Sequence, residues 1–254
     1  MRMPVVFIGH GSPMNALADN GFTKSLNKIG KTISKPTAIL VVSAHWLSTG
    51  TFVCCDDKPE IIYDFYGFPK ELYEIKYPAK GSGKTAEKTS ELLKKYNVSC
   101  GKWGIDHGSW TFLKHMYPKA DIPVFQLSVD YGQPAAYHYE MAKLLAPLRE
   151  QGVLIIGSGN IVHNLRILKW EPDAESFSWA REFDEKVKEL LVARKHEKLI
   201  EYEKLGKSAS MSVPTNDHYL PMMYPLALAG RDKIEFTHEG IELGSISMRC
   251  FISY

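Results

Sequence analysis

The sequence is short of the features that would settle its class at once. It has four cysteines, Cys54, Cys55, Cys100 and Cys250, and no CxxC pair. That removes thioredoxin-like and zinc-ribbon chemistry. No charge of one sign dominates: 31 Lys and Arg stand against 29 Asp and Glu, a formal net charge of +2. There is thus no electrostatic case for nucleic acid or a membrane surface as partner. No run of 18 apolar residues occurs, and the apolar start of the chain is short and broken by His10, so neither a membrane span nor a signal peptide is expected. A cytoplasmic protein with free, buried thiols in a reducing compartment is the expectation. If Cys54 and Cys55 lie in a strand they point to opposite faces.

The common catalytic signatures are missing as well. There is no HExxH, no pair of histidines at i and i+4, no EF-hand pattern, no GxxxxGK[ST] and no GxSxG. Gly157-Ser158-Gly159-Asn160 begins like a dinucleotide loop, but Val162 stands where the third glycine belongs. Gly83-Lys84-Thr85 has no strand before it and reads as the start of a surface helix.

What the chain does have is an alternation of strand and helix patterns along 254 residues. That length can bury roughly three quarters of the unfolded surface in one domain. Pro4 to Gly9 and Val153 to Gly157 are short apolar runs, and Ala38 to Ser43 is a continuous β-branched run of the kind found in buried parallel strands. Pro123 to Ser128 and Thr51 to Cys55 are further strands, and Ile241 to Ile252 suggests closing strands. Phe22, Leu26, Ile29 and Ile33 share one helical face. Met141, Leu144, Leu145 and Leu148 form a second stripe, and Trp179, Phe183, Val187, Leu190 and Leu191 a third. Thr85 to Tyr96 reads as a surface helix. Residues 56–80, rich in aromatics and with Pro59, Pro69 and Pro78, read as a long ordered loop with short helical turns. The expected fold is a single α/β domain, residues 1–254, with a mostly parallel central sheet flanked by helices.

The histidines are the informative feature. His10 and His45 fall just past the first two strands, and His163 lies six residues beyond Gly157. In an open α/β sheet, ligands bind outside the carboxyl ends of the strands, so three such histidines can converge. His107 and His218 sit in glycine- or proline-marked loops. His115, His138, His196 and His238 lie in helical or polar contexts and read as surface or packing groups. Imidazole suits iron or zinc, and three nitrogen ligands leave positions open for a substrate with oxygen or water. Tyr63, Phe65, Tyr66 and Phe68 are candidates to wall an apolar pocket for a flat substrate, with Trp110 and Tyr219 as further pocket candidates. A zinc hydrolase, a metal-binding protein without activity and a purely structural set of buried histidines all remain open on spacing alone.

GHGSPMN (9–15), SAHW (43–46), DFYGFP (64–69), YPA (77–79), DHGSW (106–110), GSGNIVHN (157–164), HYLP (218–221) and GIELGSISM (240–248) occur in this order. Together they resemble the bacterial 4,5-DOPA extradiol dioxygenase-like family, within the class III extradiol dioxygenases, from Pro4 to Met248. The resemblance implies a catechol and O2 as substrates. It implies one divalent metal, Zn(2+) as found and Fe(2+) for ring cleavage. It matches His10, His45 and His218 to metal ligands and His107 to a second active-site histidine near substrate and oxygen. It matches His163 to the acid/base, or in some members to a fourth ligand. His218 stands where the wider superfamily has a carboxylate ligand, which should favour zinc retention; Asp217, beside it, is the alternative carboxylate. The resemblance leaves the oligomeric state open.

Overall fold

A computed structural model describes residues 2–171 and 174–254. Its strands are β1 (Val5–Gly9), β2 (Ala38–Ser48), β3 (Phe52–Cys54), β4 (Ser99–Gly101), β5 (Val124–Asp130), β6 (Val153–Gly159), β7 (Ile234–His238), β8 (Ile241–Glu242), β9 (Ile246–Ser247) and β10 (Cys250–Ser253). Eight of them form one sheet in the order β4-β3-β5-β2-β6-β1-β10-β7, and β8 pairs with β9 apart from it. The four central strands β5, β2, β6 and β1 are mutually parallel, while β10 and β7 close one side antiparallel.

The helices are α1 (Gly21–Thr32), α2 (Lys70–Glu74), α3 (Gly83–Leu92), α4 (His107–Met116), α5 (Ala135–Lys143), α6 (Ala146–Glu150), α7 (Ser178–Val192), α8 (His196–Ile200), α9 (Lys207–Ser212) and α10 (Met223–Ala229). They cover both faces of the sheet, and side-chain alternation along the strands shows why. Val5, Phe7, Leu40, Val42 and Ile155 pack into one core with Met141 of α5, Phe183 of α7 and Leu226 of α10. Val6, Ile8, Ile39, Val41 and Ile156 pack into a second core with Leu26 of α1 and Phe112 of α4. A strand buried on both faces has no polar positions to alternate, which is the pattern Ala38 to Val42 carries. Among the described residues no helix is long and apolar enough to cross a membrane.

Several expectations need correcting. The stripe from Met141 to Leu148 belongs to two helices, because Pro147 stands in the first turn of α6, where a missing N–H and a fixed φ suit a helix start. α3 ends at Leu92, followed by a 3₁₀ turn over Lys94–Tyr96 and by Asn97 in the left-handed region. His107 is the first residue of α4 and not part of a loop. The four cysteines are not all free: Cys55 and Cys100 form a disulfide, with Cα atoms 5.5 Å apart. The parallel pairing of Val53 with Cys100 sets them side by side, a contact between residues 45 apart in the chain. Cys54 and Cys250 are free and buried.

Candidate active site

The parallel strands end on one edge of the sheet, and the histidines gather there. Gly9 at the end of β1 pairs with Gly159 at the end of β6, so His10 follows directly and its N–H donates to the Gly159 carbonyl (3.1 Å). His45 is not past the end of its strand as expected; β2 runs on to Ser48. Between Val42 and Leu47 its register against β5 breaks, with five steps on β2 against two on β5. A bulge of this kind re-aims side chains, and His45 lies within it. His218 arrives from the chain before α10: the Asn160 N–H donates to its carbonyl (2.9 Å). Close approach is built in, since a Cβ on Gly159 would sit 2.1 Å from that carbonyl oxygen and one on Gly108 would sit 2.5 Å from the His45 ring.

Hydrogen bonding orients the rings of His10 and His218. The Ser158 hydroxyl donates to the Gly108 carbonyl, which can only accept. Ser158 Oγ therefore accepts from His10 Nδ1 (2.9 Å), leaving the lone pair of His10 on Nε2. His218 Nδ1 donates to Asp217 Oδ2, again leaving Nε2. His45 Nδ1 lies 3.3 Å from Asp64 Oδ2. The Nε2 atoms of His10 and His45 face each other across 3.1 Å. Two ligands of one tetrahedral ion at ordinary metal–nitrogen bond lengths stand about 3.3 Å apart. Ligand atoms of His10, His45 and His218 all lie within 4.8 Å of one another. Burial first, and then the neighbouring histidines, hold His10 and His45 well below the usual imidazole range, so both are neutral and able to bind a cation. The donor set fits a divalent metal ion. Asp217 Oδ2 is bonded to His218 Nδ1, the carboxylate–histidine arrangement that orients metal ligands, and Asp217 also forms with His163 and His218 a second group whose ligand atoms lie within 4.8 Å of one another.

His163 stacks on His218, with ring centroids 3.5 Å apart and planes 10° from parallel. Burial, and then the neighbouring His218, pull its pKa down to about 2, so the ring is neutral. His107 lies against His45, centroids 3.9 Å apart. Its backbone N–H donates to Asp64 Oδ1 (3.0 Å), and its Nδ1 is 2.9 Å from the same oxygen. Asp64 thus sits between two of the histidines. Burial works to raise its pKa, but the contacts from His107 outweigh it and hold the carboxylate ionised. The loop that carries Asp64 is pinned in place, with the Ile62 N–H on the Ile105 carbonyl and Trp110 Nε1 donating to the Ile62 carbonyl.

Behind His107 the buried Asp106 accepts from Ser43 (2.8 Å), Ser109 (3.2 Å), Trp103 Nε1 (3.1 Å) and Gln126 Nε2 (2.7 Å). These bonds tie the start of α4 to β2 and β5, and so fix His107 relative to His45. None of this network is marked by a spacing in the sequence.

All five histidines line a cavity of about 340 Å³. Phe65 and Phe68 wall it as expected, together with Leu165, Leu168, Trp170, Leu243 and Ile246. Tyr63 does not line it, its hydroxyl donating to the Ile75 carbonyl, and Tyr66 is 93% exposed. Trp110 and Tyr219 are buried behind the site. The other four histidines stand elsewhere: His138, for one, lies between the Tyr224 hydroxyl and the Asp130 carbonyl. A larger surface cleft of about 760 Å³ beside α8 collects Lys143, Arg194, Lys195 and Lys198 and no set of metal-binding side chains among the described residues.

Residues 4–248 match the family described as the catalytic LigB subunit of aromatic ring-opening dioxygenase. The chain belongs to the LigB family. It is an extradiol dioxygenase by that membership. It is 48% identical to the 4,5-DOPA dioxygenase extradiol of Escherichia coli K12, over 97% of this chain and 93% of that protein. It is 37% identical to the protein of the same name from Beta vulgaris, over 95% and 92%. The crystal structure of an uncharacterized protein from Escherichia coli K12 superposes with a TM-score of 0.87 at 43% identity, covering 100% of both chains.

Proposed function

We propose that this LigB-family chain, as one catalytic domain over residues 1–254, opens the ring of a catechol with O2 at a single divalent metal ion. His10, His45 and His218 hold the ion, iron(II) for ring cleavage and zinc as an occupant that does not support turnover. The observation that carries this is the convergence of His10, His45 and His218, with the Nε2 atoms of His10 and His45 3.1 Å apart, close to the separation of two ligands on one ion. L-DOPA, the substrate named for the relatives, is the first catechol to test. A cytoplasmic setting, where iron stays reduced, goes with this reading, although the Cys55–Cys100 disulfide is a bond rare in reducing compartments.

Such an ion supplies acidification of the catechol hydroxyls and, as iron but not zinc, a redox route between the ring and O2. The rest is the work of side chains. His163 is assigned as the acid/base and not as a fourth ligand. An imidazole lone pair lies in its ring plane, and the near-parallel rings of His163 and His218, centroids 3.5 Å apart, favour a place for His163 beside the ion over one in its ligand set. His163, at the cavity wall, takes the hydroxyl proton when the negative charge of the bound catecholate beside it offsets the burial that lowers its pKa. His107, held beside Asp64, lines the cavity and supplies a hydrogen bond to oxygen. Phe65 and Phe68 exclude water and face the flat ring.

In the reaction both oxygen atoms enter one product, and the ring bond broken lies beside the diol. Turnover of L-DOPA or a simple catechol by the iron-loaded protein under ¹⁸O₂ should therefore give a ring-opened product carrying two labelled oxygens before exchange with water. One labelled atom, or an intact ring oxidised to a quinone, would reject the proposal.

A further inference from the structure

The outer wall of the histidine cavity comes from the segment 165–170, of which Leu165, Leu168 and Trp170 line it. The chain enters this segment from His163 and is pinned at both ends. The Asn164 N–H donates to the Ser245 carbonyl (3.2 Å), and Asn164 Nδ2 donates to the Met211 carbonyl (2.7 Å). The Ser245 hydroxyl stands between the carbonyls of Asn164 (2.9 Å) and Ile167 (2.7 Å), and the Lys169 N–H donates to the Leu243 carbonyl (2.9 Å). Between these anchors Asn164 Oδ1 accepts from the Arg166 N–H (3.1 Å), the turn an Asn side chain makes with the backbone two residues on. The backbone of Arg166 is thus fixed beside the cavity, while its side chain is free. It is exposed and, among the described residues, its guanidinium has no ion pair and no hydrogen bond.

The charges nearby are otherwise committed. No Lys or Arg lines the cavity, and its one lining carboxylate, Asp64, stands between His45 and His107. Lys169 is turned elsewhere, with Nζ donating to the Glu175 carbonyl (2.6 Å) and lying 4.6 Å from the centre of the Phe177 ring. An anionic substituent that leaves water beside Leu165 and Leu168 needs a partner. A long arginine stem can cross apolar surface while its head reaches a ligand, and the planar guanidinium fork matches a carboxylate with two parallel bonds.

We propose that Arg166 is a specificity-determining residue whose guanidinium receives the carboxylate of a catechol bearing a carboxylate or amino-acid side chain. The ring of that catechol lies at the histidines and its substituent runs along Leu165 and Leu168. This rests on the ring-opening proposal and assigns the recognition of its substrate. Arg166 contributes binding and no chemistry, so its loss is felt by substrates that carry the carboxylate, and on KM rather than kcat.

The test uses the full-length zinc-loaded protein, in which binding is read without turnover. Two pairs of catechols differ within each pair by one carboxylate: 3-(3,4-dihydroxyphenyl)propionate against 4-ethylcatechol, and L-DOPA against dopamine. Calorimetry gives a ratio of dissociation constants for each pair, and a ratio taken within one preparation cancels differences in folded or loaded fraction. In Arg166→Ala and Arg166→Gln each ratio should move by roughly 5- to 20-fold against the carboxylate. Arg166→Lys should recover part of that shift. Added salt should bring the wild-type ratio for the propionate pair toward that of Arg166→Ala, whose own ratio should move less. Unchanged ratios in both Arg166→Ala and Arg166→Gln, including an equal loss of affinity for both members of each pair, overturn the proposal. Oxygen uptake by the iron-loaded protein with 4-ethylcatechol then leaves the ring-opening proposal standing. No uptake with any catechol removes that proposal and this one with it.

Discussion

His10→Ala should empty the metal site and abolish turnover together. His10 contributes one of the two Nε2 atoms that face each other across 3.1 Å, and its ring is held by a bond from Nδ1 to Ser158. Alanine removes the donor and leaves His45 and His218 as a two-ligand site. Loss of an outer hydrogen-bond partner alone typically costs a metal site roughly 10- to 100-fold in affinity; loss of a ligand should exceed that. The check is metal content per chain after loading and dialysis, beside circular dichroism to establish that the variant is folded. A folded His10→Ala protein that keeps stoichiometric metal would show that the ion is held elsewhere, with the His45–Asp64–His107 and His163–Asp217–His218 groups as the next places to look.

His163→Ala should behave differently, and the contrast is the sharper result. Turnover should drop by roughly 10²- to 10⁴-fold, the usual contribution of a positioned acid or base, while the metal stays near one per chain. The reason is geometric: His163 stacks nearly parallel on His218, which favours a place beside the ion over one in its ligand set. The loss should fall on kcat, with catechol binding to the zinc-loaded variant changed far less. A His163→Ala protein that loses its metal as fully as His10→Ala would make His163 a ligand after all.

Much of this site is written locally in the chain. The central strands are legible because β1, β2 and β6 open on uninterrupted apolar runs, the pattern of a strand buried on both faces, while β5 departs from it at the buried Gln126 and Ser128. Once they are parallel, His10 and His163 must emerge on the same edge, so their meeting follows from topology. The edge strands β4 and β7 are short or half-buried and carry no such pattern. The bulge that turns His45 inward depends on how β2 pairs with β5, and pairing is a long-range property. Asp64 is in plain view within Asp-Phe-Tyr-Gly-Phe-Pro, yet its place between two histidines depends on the loop being bonded to Ile105, more than 40 residues away. The disulfide and the cavity mouth at 165–170 are hidden for the same reason: both arise from contacts between distant segments. The sequence patterns mark the strands and the histidines, whereas the groups that orient those histidines become visible only in three dimensions.

The most direct measurement is oxygen uptake by the apo-protein reconstituted without air, in parallel, with iron(II) and with zinc, then exposed to O2 and a catechol. Uptake of one O2 per catechol consumed with iron, and none with zinc, is the expected result. Equal turnover with zinc, or no uptake with either metal across L-DOPA, protocatechuate and alkyl catechols, would contradict a redox ring-opening site at these histidines.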